Sequence, residues 1–155
     1  MKNVCEDITC GNSVGIIKDA FEILLSIVVE RAEINSLKNT ITGSVYKVTI
    51  DTSHPMAYGY PKNYYSLKKG SESYELIDQG YNVGYIDGDA ISVAGFSGEV
   101  AKNNLKNSLV FGEKRLGKGS IIYMVDDVLF RSFWENGKLF LANAIFFVNN
   151  NKFRL

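Results

Sequence analysis

The chain contains a single histidine, and the segment around it, DTSHPMAYGY, is the first place to look for chemistry. The imidazole of His54 belongs to the side-chain class most often used as general base or metal ligand, because it changes charge near neutral pH. Pro55 restricts the preceding residue to extended conformations. The pattern therefore favours a structural role, in which His54 lies extended at the mouth of a turn formed by Met56-Ala57-Tyr58 and ended by Gly59. Catalysis by His54 is the alternative.

Ser97 is the second candidate for catalysis. It lies in Gly95-Phe96-Ser97-Gly98, between a predicted strand and a predicted helix, which is the context of a nucleophile elbow. That motif requires a glycine two positions after the serine, where this chain has Glu99, and the only histidine precedes the serine. Ser97 as a helix cap with Glu99 in the first turn explains the same residues. We expect no catalytic residue, with His54 and Ser97 as the candidates to test.

The densest group of potential ligand-binding residues follows the apolar run Ile121–Val125. Asp126 and Asp127 come directly after this run, and Arg131 and Trp134 follow shortly. Ligands bind at the carboxyl ends of strands in open α/β sheets, so these four residues form a candidate ligand site. The alternative is that the aromatic residues seal the core while Arg131 pairs with an acid.

Composition argues against several classes of partner. Seventeen basic residues balance seventeen acidic ones, so no net field attracts nucleic acid or an anionic membrane. Cys5 and Cys10 with one histidine cannot complete a four-ligand zinc site without carboxylates, and we predict no metal and no cofactor. The two cysteines are read as free thiols or a loose disulfide. The run Phe21–Val29 is shorter than the roughly 20 residues of a membrane span, and the acidic start does not resemble a signal peptide.

The elements that must position these residues follow from hydrophobic spacing. A helix is predicted from Ser13 to Ser36, and it is expected to face a core or a partner. Ser44–Ile50 alternates and predicts a strand with its apolar weight on one face. Further strands are predicted at Tyr64–Lys68, Ser73–Ile77, Val83–Ile86, Ile91–Phe96, Ser108–Gly112 and Ser120–Val125, and helices at Gly98–Asn107 and, interrupted at Asn136-Gly137, at Val128–Val148.

The second half of the chain points to an α/β architecture. The run Ile121–Val125 predicts a strand buried on both faces of a mostly parallel sheet. Leu139–Val148 is apolar nearly all round, so this last helix is expected to pack on more than one side and to be essential for folding. Gly117–Ser120 precedes a strand instead of opening a helix, so it predicts a turn and not a phosphate-binding loop.

Three segments carry a resemblance to a known family. The run GKGSIIYMVDDVLFRSFWENGKLFLANAIFFV, with GSVYKVTIDTSHPMAYGY and NSLVFGEKRLGKG, resembles the C-terminal accessory domain of bacterial zinc carboxypeptidase-like proteins. That domain is itself similar to class I glutamine amidotransferases. The resemblance covers roughly Ile41 to Val148 and implies a flavodoxin-like three-layer sandwich, incomplete at its N-terminal side. The implied organisation is an N-terminal segment with one helix (1–40), the amidotransferase-like domain (41–149) and a tail (150–155).

The resemblance also implies that catalysis is absent. The His-x-x-Glu of a zinc carboxypeptidase and the late His-x-Glu pair of an amidotransferase are missing, and no histidine follows His54. We therefore expect a non-catalytic accessory or interaction domain that binds a protein partner or self-associates, from a parent family that is often exported. The alternatives are a stand-alone hydrolase using Ser97 or His54, and a small-ligand module near Arg131 and Trp134.

Overall fold

The structure is a computed structural model that describes residues 9–148, with side chains from residue 20 onward. The chain divides between Leu37 and Lys38 into two units, each described by itself. The first unit is formed by helix α1 (Thr9–Lys38), which confirms and extends the predicted helix. Its residues from Ala20 to Leu37 are exposed. Cys5 and the side chain of Cys10 lie outside the described residues.

The second unit is a six-stranded antiparallel sheet with short helices. Its helices are α2 (Glu99–Asn104) and α3 (Glu135–Phe146), together with single 3-10 turns at Pro55–Ala57 and Phe130–Ser132. The strands are β1 (Ile41–Ile50), β2 (Asn63–Lys68), β3 (Tyr81–Ile86), β4 (Ser92–Ser97), β5 (Ser108–Leu116) and β6 (Gly119–Met124). The sheet order is β2-β1-β3-β5-β6, with β4 also paired to β1.

β1 pairs with three other strands, and both of its edges are used. One edge pairs with β2, from Ser44 opposite Lys68 onward. The other edge pairs first with β4 and then, at Thr49 and Ile50, with β3. β3 and β4 therefore act as two successive parts of one long antiparallel partner. The predicted alternation of β1 is confirmed, since Tyr46, Val48 and Ile50 are buried while the residues between them are only partly covered.

Aromatic side chains fill the core between the sheet and α3. The ring of Phe140 on α3 stacks on Phe111 with centroids 4.1 Å apart and on Tyr60 at 3.9 Å. Tyr64 of β2 meets Phe111 and Phe140 edge-on at 5.5 and 5.2 Å. Such geometries are favoured by the ring quadrupoles. This aromatic cluster joins β2, β5, α3 and the β1–β2 connection, and buried residues of β1 and β3 complete the core.

The β1–β2 connection is fastened to α3 by polar side chains. The side-chain amide of Asn143, which is buried, donates to the carbonyls of Met56 at 3.1 Å and Tyr58 at 2.7 Å. The hydroxyl of Tyr60 donates to the carbonyl of Asn136 at 2.6 Å and accepts from the amide of Phe140 at 3.0 Å. These bonds satisfy main-chain groups that no strand pairing reaches.

The mixed α/β class is confirmed, but the mostly parallel sheet is wrong. All five strand pairings are antiparallel among the described residues. A parallel connection needs a crossover of about a dozen residues or more, and α2 has only 6 residues. Gly117 and Lys118 alone separate β5 from β6, which joins them as a hairpin and confirms the predicted turn.

Two predictions of complete burial are also wrong. β6 lies at an end of the sheet path, and its burial alternates, so Ile121 and Tyr123 remain 42% and 37% exposed. Helix α3 buries one face, while Ile145 and Phe146 remain 65% and 66% exposed. An unbroken apolar run therefore does not mean burial on every side, because only one of its faces meets the core.

Two local predictions differ from the structure. Asn136-Gly137 lies in the first turn of α3 and does not interrupt it; a Cβ on Gly137 would lie 2.1 Å from the carbonyl oxygen of Val128, so glycine permits close approach there. The break comes earlier, at Arg131 and Ser132, whose φ angles are positive. The predicted strand Ser73–Ile77 is absent, because the main chain of Ile77 bonds the side chain of Asn82.

Replacing Asn143 with leucine is expected to lower the free energy of unfolding by about 2–4 kcal/mol, because the Met56 and Tyr58 carbonyls lose their buried donor. The matched control is Asn103→Leu on the exposed side of α2, which is expected to change stability by less than about 0.5 kcal/mol. Urea unfolding followed by Trp134 fluorescence measures both. Equal effects of the two variants would contradict the fastening role of Asn143.

Candidate functional site

His54 begins the 3-10 turn at Pro55–Ala57, as predicted from the sequence. Its backbone is extended, with φ −83° and ψ 137°, and its Nδ1 accepts a hydrogen bond from the amide of Met56 at 3.2 Å. Gly59 follows with a positive φ of 84°. His54 therefore caps its own turn, in the way that Ser or Asp caps a helix.

The other ring nitrogen of His54 meets a buried carboxylate. Nε2 lies 2.7 Å from Glu113 Oε2 of β5, and both side chains are 6% exposed. Because Nδ1 accepts from Met56, the proton of a neutral ring lies on Nε2 and is donated to Glu113. The second oxygen of Glu113 accepts from the Ser120 hydroxyl at 2.5 Å. The ring of Tyr81 lies 5.1 Å from the imidazole, centroid to centroid.

This chain of groups differs from a nucleophilic triad. In a triad the histidine lies between the hydroxyl and the acid, so that it can take the hydroxyl proton. Here the carboxylate of Glu113 lies in the middle, and the Ser120 hydroxyl donates to it and not to His54. Both nitrogens of His54 are occupied by structural hydrogen bonds. The arrangement fastens the β1–β2 connection to β5.

Ser97 is held by a different partner. Its hydroxyl bonds the hydroxyl of Tyr46 in the neighbouring strand β1. Gly98, not Ser97, is the N-cap of α2, and no side chain caps that helix, so the predicted cap is wrong. Glu99 does lie in the first turn. The hydrogen bonds of Ser97 and His54 thus belong to separate sets of residues.

A buried ion pair lies where β2 ends and β6 has just ended. Lys68 Nζ lies 3.1 Å from Asp126 Oδ1, and the two side chains are only 3% and 7% exposed. The Ser66 hydroxyl donates to the other oxygen of Asp126 at 2.5 Å, and Lys68 also donates to the carbonyl of Glu72 at 3.3 Å. A charge pair survives burial when further hydrogen bonds satisfy it in this way.

A cleft of about 420 Å³ opens over this pair. Lys69 and Asp127 stand at the cleft and form a second, exposed ion pair at 3.2 Å. The two predicted acids, Asp126 and Asp127, are thus brought together at the cleft, each opposed by a lysine of β2 or its end. The cleft carries both signs of charge, which is compatible with a small polar ligand.

Trp134 and Arg131 lie in the segment that follows the cleft residues. The indole of Trp134 donates to the Tyr64 hydroxyl at 3.3 Å and is half-buried. The guanidinium of Arg131 is exposed and lies 5.2 Å from the ring centre of Phe130, while the ammonium of Lys69 lies 4.6 Å from the same ring. Trp134 is thus partly covered, whereas Phe133 is 59% exposed, and ligand binding by the four predicted residues stays a prediction.

Two core tyrosines have perturbed acidities. Burial raises the pKa of Tyr64 to about 12, opposed by the hydrogen bond from Trp134 and reinforced by the charge of Asp126. Burial likewise raises the pKa of Tyr60 to about 12, against the lowering effect of its bond from the Phe140 amide. Both hydroxyls therefore stay protonated in the folded chain at physiological pH.

Sequence reasoning missed Glu113, Lys68 and Ser66, which carry the two buried networks. Lys68 and Ser66 share an inward face of β2 with Tyr64, and Glu113 stands two residues after the core residue Phe111. For Lys68 and Ser66 the available signal was the period of two in β2. β5 gives no such signal for Glu113, because its residues from Ser108 to Glu113 are all buried. Charged residues are rarely buried unless they are paired, and the sequence does not show the pairing partners.

Over residues 20–148 no group of three or more histidine, cysteine, aspartate or glutamate side chains is placed to hold a metal ion. Within the described stretch, no helix combines the length and the apolar character needed to cross a membrane. Comparison of the chain with protein-family models, with curated proteins and with solved structures finds no match in any of the three.

Lys68→Met is expected to lower the free energy of unfolding by about 3–5 kcal/mol, because Asp126 is left as an unpaired buried charge. The double variant Lys68→Met/Asp126→Leu is expected to be less destabilised than the single one. Lys69→Met breaks the exposed pair and is expected to cost at most about 1 kcal/mol. Urea unfolding of the four proteins, wild type included, gives the comparison; equal losses for Lys68→Met and Lys69→Met would contradict the buried pair.

Stability is expected to fall as the pH rises from 10 toward 12. Tyr64 and Tyr60 lose their protons near pH 10 in the unfolded chain but only near pH 12 in the folded one. The folded state therefore binds more protons in this window. The stabilisation that these protons give to the folded state is complete below pH 10 and is progressively lost above it. Urea midpoints between pH 9 and pH 11.5 test this. Tyr64→Phe should flatten the profile, whereas Tyr58→Phe, at an exposed position, should leave it unchanged.

Proposed function

We propose that this protein is a non-catalytic accessory or interaction domain that binds a protein partner through α1. The observation that carries the proposal is the exposure of large apolar side chains along this helix. These residues are between 38% and 64% exposed: Phe21, Ile23, Leu24, Leu25, Ile27, Val28, Val29, Ile34 and Leu37.

Physical chemistry favours a partner for this surface. Isolated helices are marginal in water, and most helical stability in proteins comes from packing an apolar face. The centre of α1 is also rich in isoleucine and valine, whose branched side chains lower helix propensity. Exposed apolar patches of this kind mark interaction sites. Covering α1 would therefore stabilise both the helix and the complex.

The hydrogen bonds of the sheet unit support a non-catalytic role. The ring nitrogens of His54 are engaged by Met56 and Glu113, and the hydroxyl of Ser97 is engaged by Tyr46. A general base must be within reach of the proton that it removes. A hydrolase using Ser97 or His54 would require one of these structural bonds to be broken first.

The family resemblance remains part of the proposal. An accessory role agrees with the likeness of Ile41 to Val148 to the amidotransferase-like tail of zinc carboxypeptidase-type proteins. The flavodoxin-like three-layer sandwich is not carried into the proposal, because that fold is built on parallel strands and the described strands pair antiparallel.

A small-ligand module is the second candidate function. The observation that favours it is the cleft over Lys68 and Asp126, with Lys69 and Asp127 beside it. Paired charges of both signs would suit a small zwitterion, whose ammonium and carboxylate could replace the exposed Lys69–Asp127 pair.

The purified chain is expected to show no turnover above blank with ester, C-terminal peptide and glutamine substrates. Each assay is repeated with Ser97→Ala and His54→Gln proteins whose folding has been verified by circular dichroism. Turnover that disappears in either folded variant would overturn the non-catalytic assignment and make that residue a catalytic one.

The role of α1 has its own arm in this test. If α1 serves a partner and not the fold of the sheet unit, Val28→Lys should change the free energy of unfolding by less than about 0.5 kcal/mol. Urea unfolding followed by Trp134 fluorescence measures it. Val48→Lys, in the buried face of β1, is the positive control and should be strongly destabilised. A loss of several kcal/mol in Val28→Lys would assign the apolar face of α1 to the fold and overturn the proposal.

A further inference from the structure

We propose that the partner bound by α1 is a second copy of this chain, in a parallel, in-register two-stranded coiled coil. This inference rests on the proposed function, since it names the occupant of the same helix face. It is carried by the spacing of the exposed apolar residues of α1 and by the charges that flank them.

The spacing is that of a heptad repeat. Six residues of α1 follow one another at alternating intervals of three and four, and we call them the seam: Ala20, Ile23, Ile27, Glu30, Ile34 and Leu37. All six are exposed, and five are apolar. Alternating intervals of three and four keep one stripe facing a second helix when the two helices supercoil. In this register Ile27 and Ile34 occupy a positions and Leu37 a d position, the combination that favours two strands.

The flanking charges favour the parallel orientation. In a parallel pair, a residue at g faces the residue at e of the next heptad of the other helix. That places Glu33 opposite Lys38 of the second copy, and by symmetry the same contact forms twice. An antiparallel pair would instead bring g positions against g positions, and Glu33 would meet Ser26 without an opposite charge.

Glu30 is the one charged residue of the seam. At a d position it lies beside the e position of the other helix, where Arg31 of the second copy stands. The parallel, in-register pair also places Glu30 opposite Glu30 of the second copy, and these like charges repel. Arg31 offsets part of the repulsion, so the dimer is weaker than one with a fully apolar seam.

The same charges disfavour a membrane surface as the occupant. The polar side of α1 carries Glu22 and Glu33, and a third acid, Glu30, lies in the seam itself. Helices that lie on membranes bear Lys and Arg on the polar face, because the leaflet is anionic. The acidic face of α1 would be repelled there, whereas it does not obstruct a helix pair.

Sedimentation equilibrium of the full chain between about 1 and about 200 μM measures the association. The expected result is a monomer–dimer equilibrium. Ile27→Lys, in the seam, should raise the dissociation constant at least about 30-fold, and Glu30→Leu should lower it at least about 10-fold. Val29→Lys is the matched control, since Val29 is similarly exposed but lies off the seam, and it should change the constant less than about 3-fold.

Disulfide trapping tests orientation. In a chain with Cys5→Ser and Cys10→Ser, the Ile34→Cys variant should cross-link to itself in oxidised glutathione, because a positions face each other in a parallel pair. Ser36→Cys, off the seam, should cross-link far more slowly. An antiparallel pair would place position 34 of one copy far from position 34 of the other, so a dimer in which Ile34→Cys does not cross-link overturns the proposal.

Charge reversal tests the flanking contact. Glu33→Lys should raise the dissociation constant about 5- to 10-fold, because an exposed ion pair contributes up to about 1 kcal/mol. The double variant Glu33→Lys/Lys38→Glu should restore the original constant. A chain that stays monomeric at every concentration, or that responds equally to Ile27→Lys and Val29→Lys, overturns the second-copy proposal. Neither result affects the hydrolysis and unfolding tests, so failure of the coiled coil is distinguishable from failure of the interaction-domain assignment.

Discussion

The buried pair of Lys68 and Asp126 joins the two ends of the sheet path. β2 is the first strand of that path and β6 the last, and Asp126 lies two residues after the end of β6. The lysine thus reaches across a gap between outer strands that form no ladder with each other among the described strand pairings. Two charges are costly to bury, and the Ser66 hydroxyl and the Glu72 carbonyl supply the extra bonds that make their burial tolerable. We infer that this ion pair holds the two ends of the sheet together around the aromatic core between the sheet and α3.

Polar side chains also join distant parts of the chain elsewhere in the sheet unit. His54 and Glu113 fasten the β1–β2 connection to β5, and Asn143 fastens it to α3. Asn143 bonds two main-chain carbonyls that no strand pairing reaches, whereas His54 and Glu113 bond each other through their side chains. This accounts for buried titratable residues that would otherwise suggest catalysis. The hydrogen bonds of His54, Glu113 and Asn143 hold parts of the fold together.

The sequence predicted what local patterns control. Alternation in β1, the capped turn at His54 and the hairpin at Gly117 all depend on residues close together in the chain, and the structure confirms them. Glu113 as the partner of His54 could not be predicted, because nothing in the sequence links positions that distant tertiary contacts bring together. The direction of the strands failed for a related reason: helix and strand signals alternate, but α2 is too short to serve as a crossover. The exposed residues of β6 and α3 could not be predicted, because a continuous apolar run does not indicate which of its faces packs against the core.

The division of one edge of β1 between β3 and β4 has a consequence for the order of folding. The β5–β6 hairpin closes a loop of two residues, so its entropic cost is small and we expect it to form early. β1 pairs with β2 across one connection, but its opposite edge must wait for strands that lie much farther along the chain. Contacts of such separation slow folding, because loop-closure entropy is lost before the contacts form. During synthesis, β1 therefore emerges before β3 and β4, and the edge that pairs with them stays open until they follow.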